Sequence, residues 1–175
     1  PHILWLWAFV PPFHSHSKQP MSVSKRLDDL GIELPPVPAA AANYVPVQKV
    51  GDLWYMSGHL PMQSDGSLLT GKVGTGCKTT KEGYKAARQV GLTLLATLCK
   101  ELDGDLARVV QVVKLLGIVQ SKDDFHEQHK VMNGCSDVLN EVLGERGVHA
   151  RSAIGTNALP LDITVEVEAI VQIKN

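Results

Sequence analysis

The sequence predicts an α+β sandwich, a mixed sheet with two helices packed on one face. Three observations lead there. The closing stretch alternates Val165, Val167, Ala169, Val171 and Ile173 with Glu166 and Glu168, the pattern of a strand with one buried face. Two helical segments, from about Thr80 and about Asp124, each begin at the spacing of a capping box. The order is strands, helix, strand, helix, strands, with no internal repeat.

The first twenty residues do not match the rest of the chain. They hold two of the three tryptophans, and the apolar run from Ile3 to Val10 is too short to span a bilayer. The expectation is an N-terminal extension over 1–20, flexible or non-native and upstream of a natural start near Met21. His14 and His16 then belong to that floppy segment. Residues 21–175 form a single domain. "SVSKRLDDLGIELP" is a short amphipathic piece, and the prolines of "PPVPAAAANYVP" hold the next segment extended. "VQKVGDLWYMSGHLP" predicts a hairpin turning at Gly51-Asp52. "SDGSLLTGKVGTG" is turn-rich, with room for one short edge strand.

The first long helix comes next, with Thr79 and Glu82 as its cap pair. Tyr84, Ala87, Gly91, Leu94, Leu95, Leu98 and Leu102 form its apolar stripe. Val109 to Val119 is almost continuously apolar and predicts a strand buried on both faces. The second long helix is expected from Asp124, paired with Glu127, to Gly144. The last two strands lie between His149 and Ile173. Helices on one side leave the sheet's other face open, and a second copy of the chain is the simplest cover, so a homo-oligomer is expected.

At 175 residues, 44 % hydrophobic and 20 % charged, the composition is that of a soluble globular domain. A net charge of -1 offers no field for a phosphate backbone, so a nucleic-acid partner is not expected. Nothing after the first twenty residues suggests a membrane. Cys77, Cys99 and Cys135 have neither zinc nor disulfide spacing, which favours a reducing, cytoplasmic setting, with a mitochondrial one as the alternative. P-loop, dinucleotide, HExxH and GxSxG motifs are all missing. His126 and His129 in "HEQH" lack a third ligand in sequence, so no metal site is expected and the pair reads as an exposed helical face. Cys135 reads as a small buried helical residue with no evident cation to lower its pKa.

Arg151 stands just before a buried strand with no acid beside it in sequence. Two readings stay open, a ligand carboxylate or an ordinary surface salt bridge.

"SGHLP" (Ser57 to Pro61), then two helices, then "ARSAIGTNALPLDITVEVEAIVQI" resembles the Rid family, also called YjgF or L-PSP endoribonuclease, from about Met21 to Lys174. Its closing pattern is Arg-Ser, Leu-Pro eight residues after the arginine, then Glu-x-Glu-Ala in an alternating strand. Arg151, Leu159-Pro160 and Glu166 to Ala169 reproduce it without a gap. The segment before Arg151 resembles a less-studied branch with a longer second helix. The resemblance implies a chorismate-mutase-like sandwich assembled as a homotrimer, with clefts between subunits. It implies hydrolysis of enamine/imine intermediates to 2-keto acids and ammonia, without metal or cofactor. Arg151 would hold the carboxylate of a small-molecule substrate, and Glu166 would orient or activate water. Tyr44 would wall the cleft, Ser57 and Gly58 would line it, and Gly58 would let backbone approach the ligand. Asn133 and Ala153 complete the implied substrate contacts. Local spacing around Asn133 departs from the pattern, and Ala153 stands where many relatives carry Cys. Glu168 is expected to pair structurally. A non-catalytic, carboxylate-binding or chaperone-like trimer, and an endoribonuclease or translation inhibitor, are the alternatives.

Overall fold

A computed structural model describes residues 22–37 and 43–174; the expectations for residues 1–20, and for the middle of the Pro/Ala run, lie outside them. Five strands form one sheet: β1 (Val47–Val50), β2 (Leu53–His59), β3 (Val109–Gln120), β4 (Ala150–Thr156) and β5 (Val165–Ile173), in the order β1-β2-β5-β3-β4. β3 and β4 run parallel and the other pairs antiparallel, so the sheet is mixed as expected. Two long helices, α2 (Thr80–Glu101) and α3 (Gln128–Leu143), cover one face. The amphipathic piece near the start forms a third, short helix, α1 (Val23–Asp29), against α3.

Local chemistry explains these elements. Gly51, at φ 60°, turns β1 into β2. The Glu82 N–H donates to Thr79 Oγ1 at 3.2 Å, and the Thr79 N–H donates to Glu82 Oε2 at 2.8 Å, completing the capping box of α2. Its stripe buries Ala87, Leu94, Leu95, Leu98 and Leu102 in one core with Val165, Val167 and Val171 of β5. Each buried leucine contributes about 1.5–3 kcal/mol of apolar burial. The long helices touch backbone to backbone. A Cβ on Gly134 would sit 2.0 Å from the Tyr84 carbonyl oxygen, so any side chain there would force α2 and α3 apart.

Three expectations need correction. The second long helix starts at Gln128, not Asp124, because its would-be capping carboxylates are engaged elsewhere. Thr75 donates to Asp124 and Thr80 donates to Glu127, leaving the helix without a side-chain cap. The segment from Ser64 to Gly76 contains no strand, only isolated bridges, since glycines at positive φ interrupt any extended run. β3 is not buried on both faces within one chain. Leu115 and Val119 are fully buried under the helices, but Val110 and Val113, at two bulges, are exposed. Among the described residues no helix covers the opposite face.

Candidate active site

Glu166 projects from β5 on the helix-free face, between strand neighbours Val165 and Val167 that are wholly buried on the other side. Opposite it, a bulge between Met56 and His59 brings the β2 backbone close. Gly58 makes this possible, since a Cβ there would lie 1.8 Å from Glu166 Oε1. The ring of His59, almost fully buried, fixes the bulge from behind. Its Nδ1 lies 2.6 Å from the Ser57 carbonyl and its Nε2 lies 2.9 Å from Thr97 Oγ1. The carbonyl can only accept, so Nδ1 carries the proton and Nε2 accepts from the threonine hydroxyl. Desolvation lowers the His59 pKa, outweighing the opposing effect of that carbonyl.

Ser57 ties in the segment ahead of β1, donating through Oγ to the Val45 carbonyl at 2.7 Å and through N–H to Pro46 at 3.0 Å. Tyr44 thereby stands at the rim of a cavity of about 560 Å³, which Ser57, Gly58, Pro160, Leu161 and Glu166 also line. Burial raises the Glu166 pKa above the usual carboxylate range, and the neighbouring Glu168 raises it further. A carboxyl so poised can exchange protons nearer neutrality. Glu168 reaches this cavity and a second of about 290 Å³ beside Lys114. Among the described residues no side chain forms an ion pair with Glu168, so the structural partner expected for it is not found there.

Arg151 lies elsewhere. It pairs in register with Leu115, whose side chain is buried under the helices, so Arg151 emerges on the helix side of β4. Glu166 emerges on the opposite side, across from Ile118. Arg151 and Glu166 therefore cannot meet within one chain. Nη1 of Arg151 donates to Ser136 Oγ at 2.8 Å and to Asn133 Oδ1 at 3.2 Å. Nη2 donates to the His129 carbonyl at 3.0 Å and again to Asn133 Oδ1 at 3.2 Å. All these acceptors are neutral. Among the described residues no carboxylate lies within salt-bridge distance of Arg151, so it is not an ordinary surface ion pair.

The predicted site residues thus fall into two groups. Tyr44, Ser57, Gly58 and Glu166 share one cavity, while Arg151 and Asn133 form a second cluster, with Ala153 on the same face of β4. Sequence reasoning missed Ser136 and His149. Because Arg151 donates to Ser136, the hydroxyl proton is free to point to His149 Nε2 at 2.9 Å, and His149 Nδ1–H donates to the Gly147 carbonyl. Two signals were available: Ser136 follows Asn133 by three on a helix, and His149 precedes Arg151 by two in extended chain just ahead of β4. Cys135 does have a cation nearby, since the Arg151 charge pulls its pKa down, but complete burial dominates and pushes the thiol to about 12. Among the described residues no three His, Cys, Asp or Glu side chains gather as metal ligands.

The family model described as "YjgF/chorismate_mutase-like, putative endoribonuclease" matches residues 24–172. Protein TCP17 of Trypanosoma cruzi is 42 % identical over 154 residues, covering 87 % of this chain and 95 % of that relative. The crystal structure of Atu1372 from Agrobacterium tumefaciens, a protein of unknown function, is 42 % identical with a TM-score of 0.79, covering 87 % of this chain and 94 % of that one. RidA from the Antarctic bacterium Psychrobacter sp. PAMC 21119 is 28 % identical with a TM-score of 0.53, covering 78 % and 94 % of the two chains.

Proposed function

This chain belongs to the YjgF/chorismate mutase-like (Rid) family, and from that premise we propose that it hydrolyses reactive enamine/imine intermediates to 2-keto acids and ammonia, in clefts between the subunits of a homotrimer. The observation that carries the reading is the separation of the implied site into two self-consistent halves on opposite faces of one sheet. The cationic half has an arginine without a counter-ion among the described residues. The other half has a carboxyl of raised pKa above a glycine ledge. A second copy bringing its Arg151 to the first copy's Glu166 unites anchor and base.

In such a cleft the substrate carboxylate exchanges with Asn133 Oδ1 for the two Nη donors of Arg151, a charge-assisted replacement for a neutral acceptor. The imine carbon then faces Glu166. Glu166 takes a proton from water as the water oxygen bonds to that carbon. The same proton passes to the nitrogen, giving a carbinolamine. The carboxylate then carries the hydroxyl proton to the amine nitrogen as the C=O bond forms and the C–N bond breaks, and keto acid and ammonia leave. An imine is already electrophilic, so positioning and one proton carrier suffice.

The test couples the protein to a dehydratase that forms the enamine from serine or threonine, and monitors ammonia release alongside sedimentation. Faster release with the assembled protein is expected. Release no faster than in buffer, or a stable monomer at micromolar concentration, defeats the proposal.

A further inference from the structure

The loop that closes the cavity opposite Gly58 adopts a conformation its residues do not favour. Leu161 has φ 56° and ψ 18°, and Asp162 comes next at φ 56°, two successive left-handed residues without glycine. Such a turn persists only where its surroundings impose it. Here the agent is Gln120, 2 % exposed at the end of β3. Its Oε1 accepts the Leu159 N–H at 2.8 Å, and its Nε2 donates to Asp162 Oδ1 at 2.6 Å. The Asp162 carbonyl accepts the Gly71 N–H at 2.7 Å, fixing the loop from the other side. All this holds one apolar side chain in the open, for Leu161 lines the cavity and is 63 % exposed.

The cavity is divided in character. Ser57, Gly58, Glu166 and Glu168 are its polar lining, and Tyr44, Leu60, Pro160 and Leu161 its apolar lining. Its volume of about 560 Å³ lies within the roughly 300–1,000 Å³ of pockets that enclose ligands far larger than a three-carbon acid. We propose that Leu161, held by Gln120, sets the substrate class, so that the site takes 2-imino acids with a large branched or aromatic side chain that packs against it. This rests on the proposed hydrolysis and makes its substrate specific. Leu161 is a specificity-determining residue and Gln120 a positioning one.

The experiment titrates four product acids, pyruvate, 2-oxobutanoate, 4-methyl-2-oxopentanoate and phenylpyruvate, into the parent and into Leu161→Gly, Leu161→Asn and Gln120→Met. Glycine and asparagine accept the left-handed backbone, so both Leu161 variants should fold. The parent should bind the two larger acids at least about tenfold tighter than pyruvate. Both Leu161 variants should lose that preference. Gln120→Met should weaken the preference with Leu161 still present, raising KM for the larger imines and leaving kcat for the smallest unchanged. Equal affinity across the four acids in the parent, a preference that survives Leu161→Gly, or an assembly lost in that variant overturns the assignment. Failure of the parent to bind any of the acids or to release ammonia defeats the hydrolase reading itself, and this inference with it.

Discussion

Gly58→Ala should separate activity from stability. The new Cβ would stand 1.8 Å from Glu166 Oε1, 2.7 Å from its Cδ and 3.0 Å from its Cγ, so the carboxyl must swing away. The three nearest atoms all belong to that flexible side chain, and Gly58 does not occupy the left-handed region, so the backbone can stay in place. An off-rotamer Glu166 costs about 0.5–1.5 kcal/mol. Replacing glycine offsets about 0.4–1 kcal/mol of that by restricting the unfolded chain. The net change should be within about 1 kcal/mol, a Tm shift of roughly 2–4 °C for a domain of this size. Displacing the proton carrier by an ångström or more should slow hydrolysis by ~10²-fold. The assay pairs ammonia release with thermal unfolding of the same preparation. Parental activity in Gly58→Ala would refute the idea that the ledge positions Glu166. A loss of Tm well beyond that range would show that Gly58 serves the fold instead.

Arg151→Ala should weaken keto-acid binding by about ten- to a hundredfold, the value of a charge-assisted pair, and Arg151→Lys should restore little because it lacks the fork; calorimetry decides, and parental affinity in Arg151→Ala counts against the anchor. Glu166→Gln should bind keto acids yet hydrolyse imines slowly. It should also be the more stable protein at neutral pH: a carboxyl whose folded pKa is raised gives full stability only below its unfolded pKa, and loses it as pH rises through the folded value. A Tm gain at pH 7 that vanishes below the carboxylate range is therefore expected. His59 works in the opposite direction, since its lowered folded pKa removes stability as pH falls below the ordinary histidine value; His59→Gln should flatten that acid limb in pH-dependent unfolding. Iodoacetamide should label exposed Cys77 in the native protein and reach buried Cys135 only on unfolding, as mass spectrometry would show.

Features decided by neighbours in sequence were legible before any coordinates. Gly51 turned its hairpin, Thr79 and Glu82 capped α2, and the alternation of β5 fixed which residues face the core. Features decided at long range were not. Asp124 and Glu127 carry the spacing of a cap, but Thr75 and Thr80, some fifty residues earlier, claim their carboxylates. The chorismate-mutase-like sandwich could be read, yet the faces on which Arg151 and Glu166 stand could not. Arg151 and Glu166 are related only through β3, whose register with both neighbours puts them on opposite sides. Nor does a leucine announce a left-handed turn; only the buried Gln120 explains Leu161.

The placement of Arg151 and Glu166 on opposite sides of one sheet has a genetic corollary. If each cleft borrows its arginine from one copy and its glutamate from the next, two defective proteins can repair one another. Arg151→Ala and Glu166→Gln chains, each impaired alone, would regenerate about one intact cleft in four when unfolded, mixed equally and reassembled at random. Two alleles of this kind in one cell would then be milder together than either by itself. Inheritance of a damaged copy would obey the arithmetic of shared sites rather than that of independent enzymes.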